Sequence, residues 1–274
     1  MRARARKARP PRDLRSKGAG KARLYAPPPH PHTHAHPPSP QENVDIVLDK
    51  GTNLPTTGRR SGTAASEGEV TWDAQKIAGY EAVARSRGEA YYGPVDSRLY
   101  KVLDRHPIKG KSVVIMGSLE PFYEIVALTF GAASVTTVEY GSRLCNDPRF
   151  EIIKPHELLA SKRKFDVALS ISSFEHDGLG RYGDPLDPEG DLKAMAYMRE
   201  QVVKPGGALL LAMPSGGDFI EFNAHRIYGR ERFKLMTSGW TLGDSEGFTE
   251  DIWGNGGGWQ TQPVYYLVNT PPKA

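Results

Sequence analysis

The chain has 274 residues, with 36 Lys and Arg against 32 Asp and Glu, and a single cysteine, Cys145. One cysteine excludes an intrachain disulfide framework and a cysteine-rich zinc site. No uninterrupted apolar run approaches the roughly 20 residues that span a bilayer, so no transmembrane helix is expected.

Charge is segregated. Residues 1–23 carry ten Lys and Arg and one acid, Asp13, leaving 26 basic and 31 acidic residues for a mildly acidic remainder. Residues 1–70 are poor in large apolar side chains and rich in Pro, Arg, His, Gly, Ser and Thr. They cannot bury enough apolar surface to offset the entropy of ordering and are expected to form a disordered basic, Pro- and His-rich tail. An α/β domain is expected over 71–274. The start has no apolar h-region and is not a Sec-type signal; its Arg-rich, nearly acid-free character permits an organelle transit peptide. The expected compartment is therefore cytoplasmic or organellar. His30, His32, His34 and His36 alternate in a tract that either holds a divalent metal loosely or is a plain low-complexity linker. The basic block attracts polyanions non-specifically, and without interleaved aromatic residues it implies no specific nucleic acid.

Order is expected from near Trp72. The segment from Trp72 to Arg87 has apolar residues near helical spacing, and a second short helix is expected after Gly93-Pro94. Strands are predicted at 112–116, 134–139, 150–153, 165–171 and 207–213, and helices at 120–130, 189–203 and 228–237. Two more strands near the end are expected to pair antiparallel. The second crossover, GSRLCNDPRF, is too short for a full helix and is expected to be a loop. Alternating strands and helices predict a doubly wound, mostly parallel sheet of seven strands.

The run KGKSVVIMGSLEPFYEIVALTFGAASVTTVEY, residues 109–140, is strand, glycine turn, helix, strand and carboxylate. A carboxylate at the tip of the second strand, about 20 residues past the turn, accepts hydrogen bonds from ribose hydroxyls in such folds. Glu139 holds that position, which implies an adenosine-containing cofactor. The alternative is a solvated strand-end carboxylate.

Three landmarks follow in order: the strand FDVALSIS running into Glu175-His176, a helix, and VVKPGGALLLAMP. With the glycine turn and Glu139 they resemble a class I S-adenosylmethionine-dependent methyltransferase. More closely, residues from about 72 to 270 are similar to a methyltransferase-like family of unknown function first described from nematodes. The stretch SSFEHDGLGRYGDPLDPEGDLKAM carries that likeness. The resemblance implies a Rossmann-like methyltransferase sheet and S-adenosylmethionine as cofactor. It assigns Gly117, Ser118, Glu120, Glu139, Tyr140, His156 and Ser172 to the cofactor and His176, Glu175 and Asp184 to catalysis. The expected acceptor is a small molecule or carbohydrate.

The turn departs from the family pattern of acid-x-Gly-x-Gly-x-Gly: it reads Ile115-Met116-Gly117-Ser118-Leu119-Glu120-Pro121. Only Gly117 remains, so the methionine end of the cofactor is expected to be held differently. Glu120 or Glu124 could contact its ammonium, or simply complement the helix dipole.

The loop after FDVALSIS is rich in ionisable groups and glycine. His176 suits a general base, because imidazole titrates near neutrality, or a structural histidine. Asp177, Asp184 and Asp187 could bind a hard cation or stabilise turns, and Asp187-Pro188-Glu189 reads as a helix start. Beyond the KPGG strand lie Asn223, His225, Arg226, Tyr228 and Arg230. Arg226 and Arg230, four apart, could share a helical face that reads an anion, or be a solvated face. Trp259, among glycines, is expected in a loop before the last strand. The leading reading is a methyltransferase. The alternatives are a different enzyme, such as a metal-assisted one, or a non-catalytic module on the same fold.

Overall fold

The computed structural model describes residues 69–271, apart from 183, 222–223 and 255–256. The expected tail, its histidine tract and Asn223 lie outside the described residues.

The chain opens with β1 (Val70–Trp72), α1 (Ala74–Arg85) and α2 (Pro94–Arg105). Asp73 caps α1 by accepting the Lys76 N–H at 2.8 Å. Pro94 starts α2, where its missing N–H leaves no bond unmade. The alternation then follows as β2 (Ser112–Met116), α3 (Phe122–Thr129), β3 (Ser134–Val138), β4 (Arg143–Cys145), β5 (Phe150–Ile153), α4 (Pro155–Ser161) and β6 (Phe165–Ile171). After a long loop come α5 (Gly190–Tyr197), β7 (Val203–Ala212), a hairpin of β8 (Phe219–Glu221) and β9 (His225–Ile227), α6 (Arg230–Met236), β10 (Thr241–Glu246) and β11 (Val264–Val268).

Seven strands form one sheet in the order β10-β11-β7-β6-β2-β3-β5. All neighbours are parallel except β11, which runs antiparallel to both β7 and β10. This is the doubly wound, mostly parallel sheet of the Rossmann-like methyltransferase type, with the antiparallel pair at the chain's end as expected. A sheet covered on both faces has near-continuous apolar strands. Val113 and Ile115 accordingly join one core with Leu99, Leu103, Phe122 and Leu210, while Val114 joins the other with Phe165, Met195, Leu209 and Leu211. The KPGG turn has a steric basis. Gly206 sits at φ 80°, and a Cβ on Gly207 would lie 2.7 Å from the Asp166 carbonyl oxygen.

Several local expectations shift. The helix predicted over 189–203 is α-helical only to Tyr197 and then widens into a π-turn, Met198–Val202, ahead of a strand that begins at Val203. α5 begins at Gly190, later than the expected start, although Asp187 does accept the Glu189 N–H at 3.0 Å and pairs with Lys193 at 2.7 Å. The second crossover holds a three-residue strand, β4, that pairs in parallel with β1. α4 adds to the predicted elements. Its seven residues are too few to show a period, and a capping box closes it, with Glu157 accepting the Lys154 N–H at 2.6 Å. Among the described residues no helix is long and apolar enough to cross a membrane.

Asp96, fully buried on α2, joins the first core to the loop before it. Its carboxylate accepts the Ala90 and Tyr91 N–H groups at 2.8 and 2.9 Å and the Tyr123 hydroxyl at 2.7 Å. Asp96→Ala strands these donors in an apolar interior. It is expected to cost about 2–4 kcal/mol in urea unfolding; a loss under about 1 kcal/mol would contradict the account.

Candidate functional site

The strand order reverses between β2 and β6, the place where open α/β sheets bind ligands outside the carboxyl ends of their strands. Two turns meet there. Gly117, directly after β2, has φ 72° and donates its N–H to Val138 at 2.9 Å. A Cβ on it would stand 2.5 Å from Ser173 Oγ, in the turn after β6. Only glycine fits both constraints.

Glu139, at the tip of β3, reaches back to this turn. One oxygen accepts the Ser118 N–H at 2.7 Å, the other the Gly141 N–H at 2.7 Å, and an Arg143 nitrogen lies at 3.5 Å. A carboxylate offers about four lone-pair sites, so capacity for further donors remains. The rest of the turn is tied to the start of the domain. The Trp72 indole donates to the Leu119 carbonyl at 3.0 Å, Lys76 contacts the two Glu120 oxygens at 3.1 and 2.9 Å, and Arg143 Nε bonds the Ser118 carbonyl at 2.8 Å. Beneath the turn, fully buried Glu124 accepts the Thr137 hydroxyl at 2.9 Å, and its second oxygen has no partner. Burial pushes the Glu124 carboxyl up to about 7, against the pull of bonds from Ser118, its own backbone and Thr137. Tyr140 is half exposed at the rim; Lys154 bonds its carbonyl and that of Gly141 at 3.0 and 2.6 Å. His156 is exposed in the first turn of α4.

After β6 the backbone is strained at Ser172, a non-glycine residue with φ 52°. Its hydroxyl bonds the Glu175 carboxylate and accepts from Gln262 Nε2 at 3.2 Å. Glu175 is 1% exposed, and its other oxygen has no hydrogen-bond partner. Burial pushes its carboxyl up to about 7, while the Ser172 bond and the Arg181 and Arg226 charges oppose this. Tyr92 belongs to the same cluster. Burial, then Glu175, raise its hydroxyl to about 12, and a bond with Ser172 offsets part of that.

His176 Nδ1 lies 2.5 Å from the Ala224 carbonyl, which only accepts, so Nδ1 carries the hydrogen and Nε2 keeps its lone pair. Burial lowers its pKa to about 3. Nε2 stands 3.8 Å from Glu175. Asp184 folds the loop back on itself, accepting the N–H groups of Gly178, Gly180 and Tyr182 at 2.7, 3.1 and 3.2 Å.

Arg226 holds this loop in place. It is fully buried on β9, where its guanidinium donates to the carbonyls of Asp177 at 2.5 Å, Asp187 and Pro188 at 3.3 Å each, and Glu175 at 3.4 Å. Asp191, buried on α5, lies 3.7 Å from Arg226 Nε. It is bound by both Arg232 Nε (2.9 Å) and Nη2 (2.5 Å) and by the Tyr228 hydroxyl (3.0 Å). The expected shared face of Arg226 and Arg230 does not exist. Arg226 is on a strand, and Arg230 opens α6, paired with Glu250 and lying 4.8 Å over the Trp253 ring. Trp259 packs 5.9 Å from His225. Sequence reasoning missed Tyr92, Gln262 and Lys76; each lies far along the chain from the residue it serves, and no local pattern marks it.

Residues 110–251, more than half of the chain, match the family described as "Caenorhabditis protein of unknown function, DUF268". The chain belongs to this family. No curated protein matches the sequence. Solved structures with a similar fold include TehB from Haemophilus influenzae, 13% identical, TM-score 0.43, covering 63% of this chain and 61% of that one. A candidate SAM-dependent methyltransferase from Streptococcus mutans is 12% identical, with TM-score 0.43 and coverage of 62% and 47%. PH0226 from Pyrococcus horikoshii OT3 is 13% identical, with TM-score 0.46 and coverage of 68% and 94%. The DUF268 chain spans less than two thirds of the length of the first structures it matches. Likeness at this level is one of fold and carries no activity across.

In this DUF268 chain the buried titrating groups set a pH dependence. Glu124 and Glu175 hold protons to about pH 7 when folded against about 4.5 for the free side chain, so their contribution to stability falls as pH rises from 4.5 to 7. Asp177, raised by burial and by Asp184 and Asp191, acts in the same direction. His176 opposes them only below its ordinary 6.5, where stability is lost as pH falls toward 3. The melting temperature is therefore expected to decline as pH rises from about 5 to 7, with His176 offsetting part of the loss below 6.5, and Glu124→Gln with Glu175→Gln should flatten that decline. A melting temperature that climbs from about pH 5 to 7 would contradict it.

Arg226→Met removes the donors of four loop carbonyls and leaves Asp191 with less positive charge. The expected destabilisation is about 3–5 kcal/mol, with faster proteolysis between residues 175 and 188 than elsewhere. Cleavage spread evenly along the chain would show that Arg226 does not hold this loop.

Proposed function

We propose that this chain is an S-adenosylmethionine-dependent methyltransferase acting on a hydroxyl or amine of a small-molecule or carbohydrate acceptor. The observation that carries the reading is the contact of the two turns at the switch point. Gly117 and Glu139 lie on one side of it, and the strained Ser172 with buried Glu175 on the other. The remaining acceptor capacity of Glu139 suits ribose hydroxyls, which supports the fit of a nucleoside there. When bound, the cofactor supplies an electrophilic methyl group on a sulfonium.

This chain's residues then have distinct tasks. Glu139 and the Ser118 backbone hold the ribose side, with Gly117 allowing close approach and Tyr140 and His156 bordering the adenine side. Glu120, already paired with Lys76, flanks the amino-acid end. Glu175 takes the acceptor's proton through the Ser172 hydroxyl, because a base works best when its pKa lies near the operating pH. His176, with a pKa near 3, is a weak base; its bare Nε2 instead accepts a hydrogen bond that orients the acceptor. Asp184 keeps the loop in shape. Positioning supplies much of the rate in such a transfer.

A second reading, a module on this fold that takes no cofactor, is favoured by Leu119 and Pro121 in place of glycines and by the backbone bonds on both Glu139 oxygens. Calorimetry with S-adenosylhomocysteine separates the two. The chain is expected to bind it, and Glu139→Ala to weaken binding by about 1–3 kcal/mol. Absence of binding favours the second reading, and unchanged affinity in the variant removes Glu139 from the site.

A further inference from the structure

We infer that the Glu175 carboxylate is the charge by which this site distinguishes a sulfonium from a thioether, acting across the Ser172 hydroxyl. The inference rests on the methyltransferase reading above and adds to it a rule for which form of the cofactor is held. Gly117 and Ser173 abut, so a ligand seated on Glu139 and crossing the switch point arrives at the turn that begins with Ser172. Ser172 is half-buried, whereas Glu175 behind it is 1% exposed. The Ser172 hydroxyl bonds one Glu175 oxygen, and the other has no hydrogen-bond partner. A buried carboxylate without a full set of donors is costly to ionise, and a nearby cation relieves that cost.

Two carboxyls near the switch point change charge near neutrality, Glu175 against Ser172 and Glu124 beneath the turn after β2, and Glu175 is the one on the Ser172 side. Arg181 and Arg226 favour its ionised form and stay charged themselves. His176 stays neutral, since burial lowers its pKa to about 3. Tyr92 and Tyr228, both raised by burial, stay protonated. Asp177, raised by burial and by Asp184, Asp191 and Glu175, is a further carboxyl within influence. Ionised Glu175 therefore favours the cationic substrate form over the neutral product form, and its protonation removes the distinction.

The test uses the full chain, with S-adenosylmethionine and S-adenosylhomocysteine titrated in a calorimeter from pH 5.5 to 8.5. The two ligands share their other titratable groups, so the ratio of their affinities isolates the sulfonium. That ratio is expected to rise on the order of tenfold in favour of the sulfonium as pH passes 7, the size of one charge pair at moderate separation. Glu175→Gln, whose amide oxygen still accepts the Ser172 bond, should abolish the step, and Asp177→Asn should retain it. A ratio that is flat in the unaltered chain, or a step that survives Glu175→Gln, overturns the inference while leaving cofactor binding intact. Failure of both ligands to bind at every pH removes the inference together with the methyltransferase reading.

Discussion

A single buried guanidinium decides the shape of the site. Arg226 carries a full positive charge at zero exposure, and it is matched to the four backbone carbonyls of the loop between Glu175 and Pro188 rather than to one carboxylate. Five N–H donors in a planar fork suit that task; a lysine could not spread over so many acceptors. Asp191 sits nearby but directs its own oxygens to Arg232 and Tyr228. The hairpin of β8 and β9, α5, α6 and the loop are thus coupled through one polar cluster. His176, Glu175 and Ser172 take their positions from that cluster and from the end of β6.

Three glutamates near the switch point show how environment divides one side-chain type among tasks. Glu139 meets two backbone donors and a guanidinium beside it. Glu124 and Glu175 are sealed off with one oxygen each lacking a partner, and burial raises both carboxyls to about 7. Glu124 lies under the turn, on the core side of α3. Glu175 lies just after β6, bonded to the strained Ser172.

The turn after β2 has lost two of the glycines of its pattern and is stabilised by other means. Leu119 and Glu120 are held from the start of the domain by Trp72 and Lys76, and β1 pairs with β4 to bring that segment alongside. The short strand β4 occupies the crossover where a helix would otherwise stand. Loss of backbone freedom in the turn and the presence of this strap are two sides of one arrangement.

The sequence by itself determined the class of the sheet. The central strands from Ser112 onward are largely apolar runs because both faces are covered, and their alternation with helices gives the doubly wound, mostly parallel class; the strand order is a tertiary fact. The positions of Gly117 and Glu139 were legible as well, since a turn and a strand end are local features. Tertiary structure alone decided the chemistry. Arg226 and Arg230 share helical spacing, yet one is buried on a strand and the other pairs at the start of a helix. His176 has a titratable ring on paper, but the Ala224 carbonyl and its burial fix the tautomer and suppress its basicity. Asp184 commits its carboxylate to three neighbouring amides, Glu120 is paired by Lys76, and Ser172 is joined by Gln262. Burial and hydrogen-bond partners are set mostly by contacts between residues far apart in the chain. For these polar side chains they leave no periodicity in the order of the amino acids.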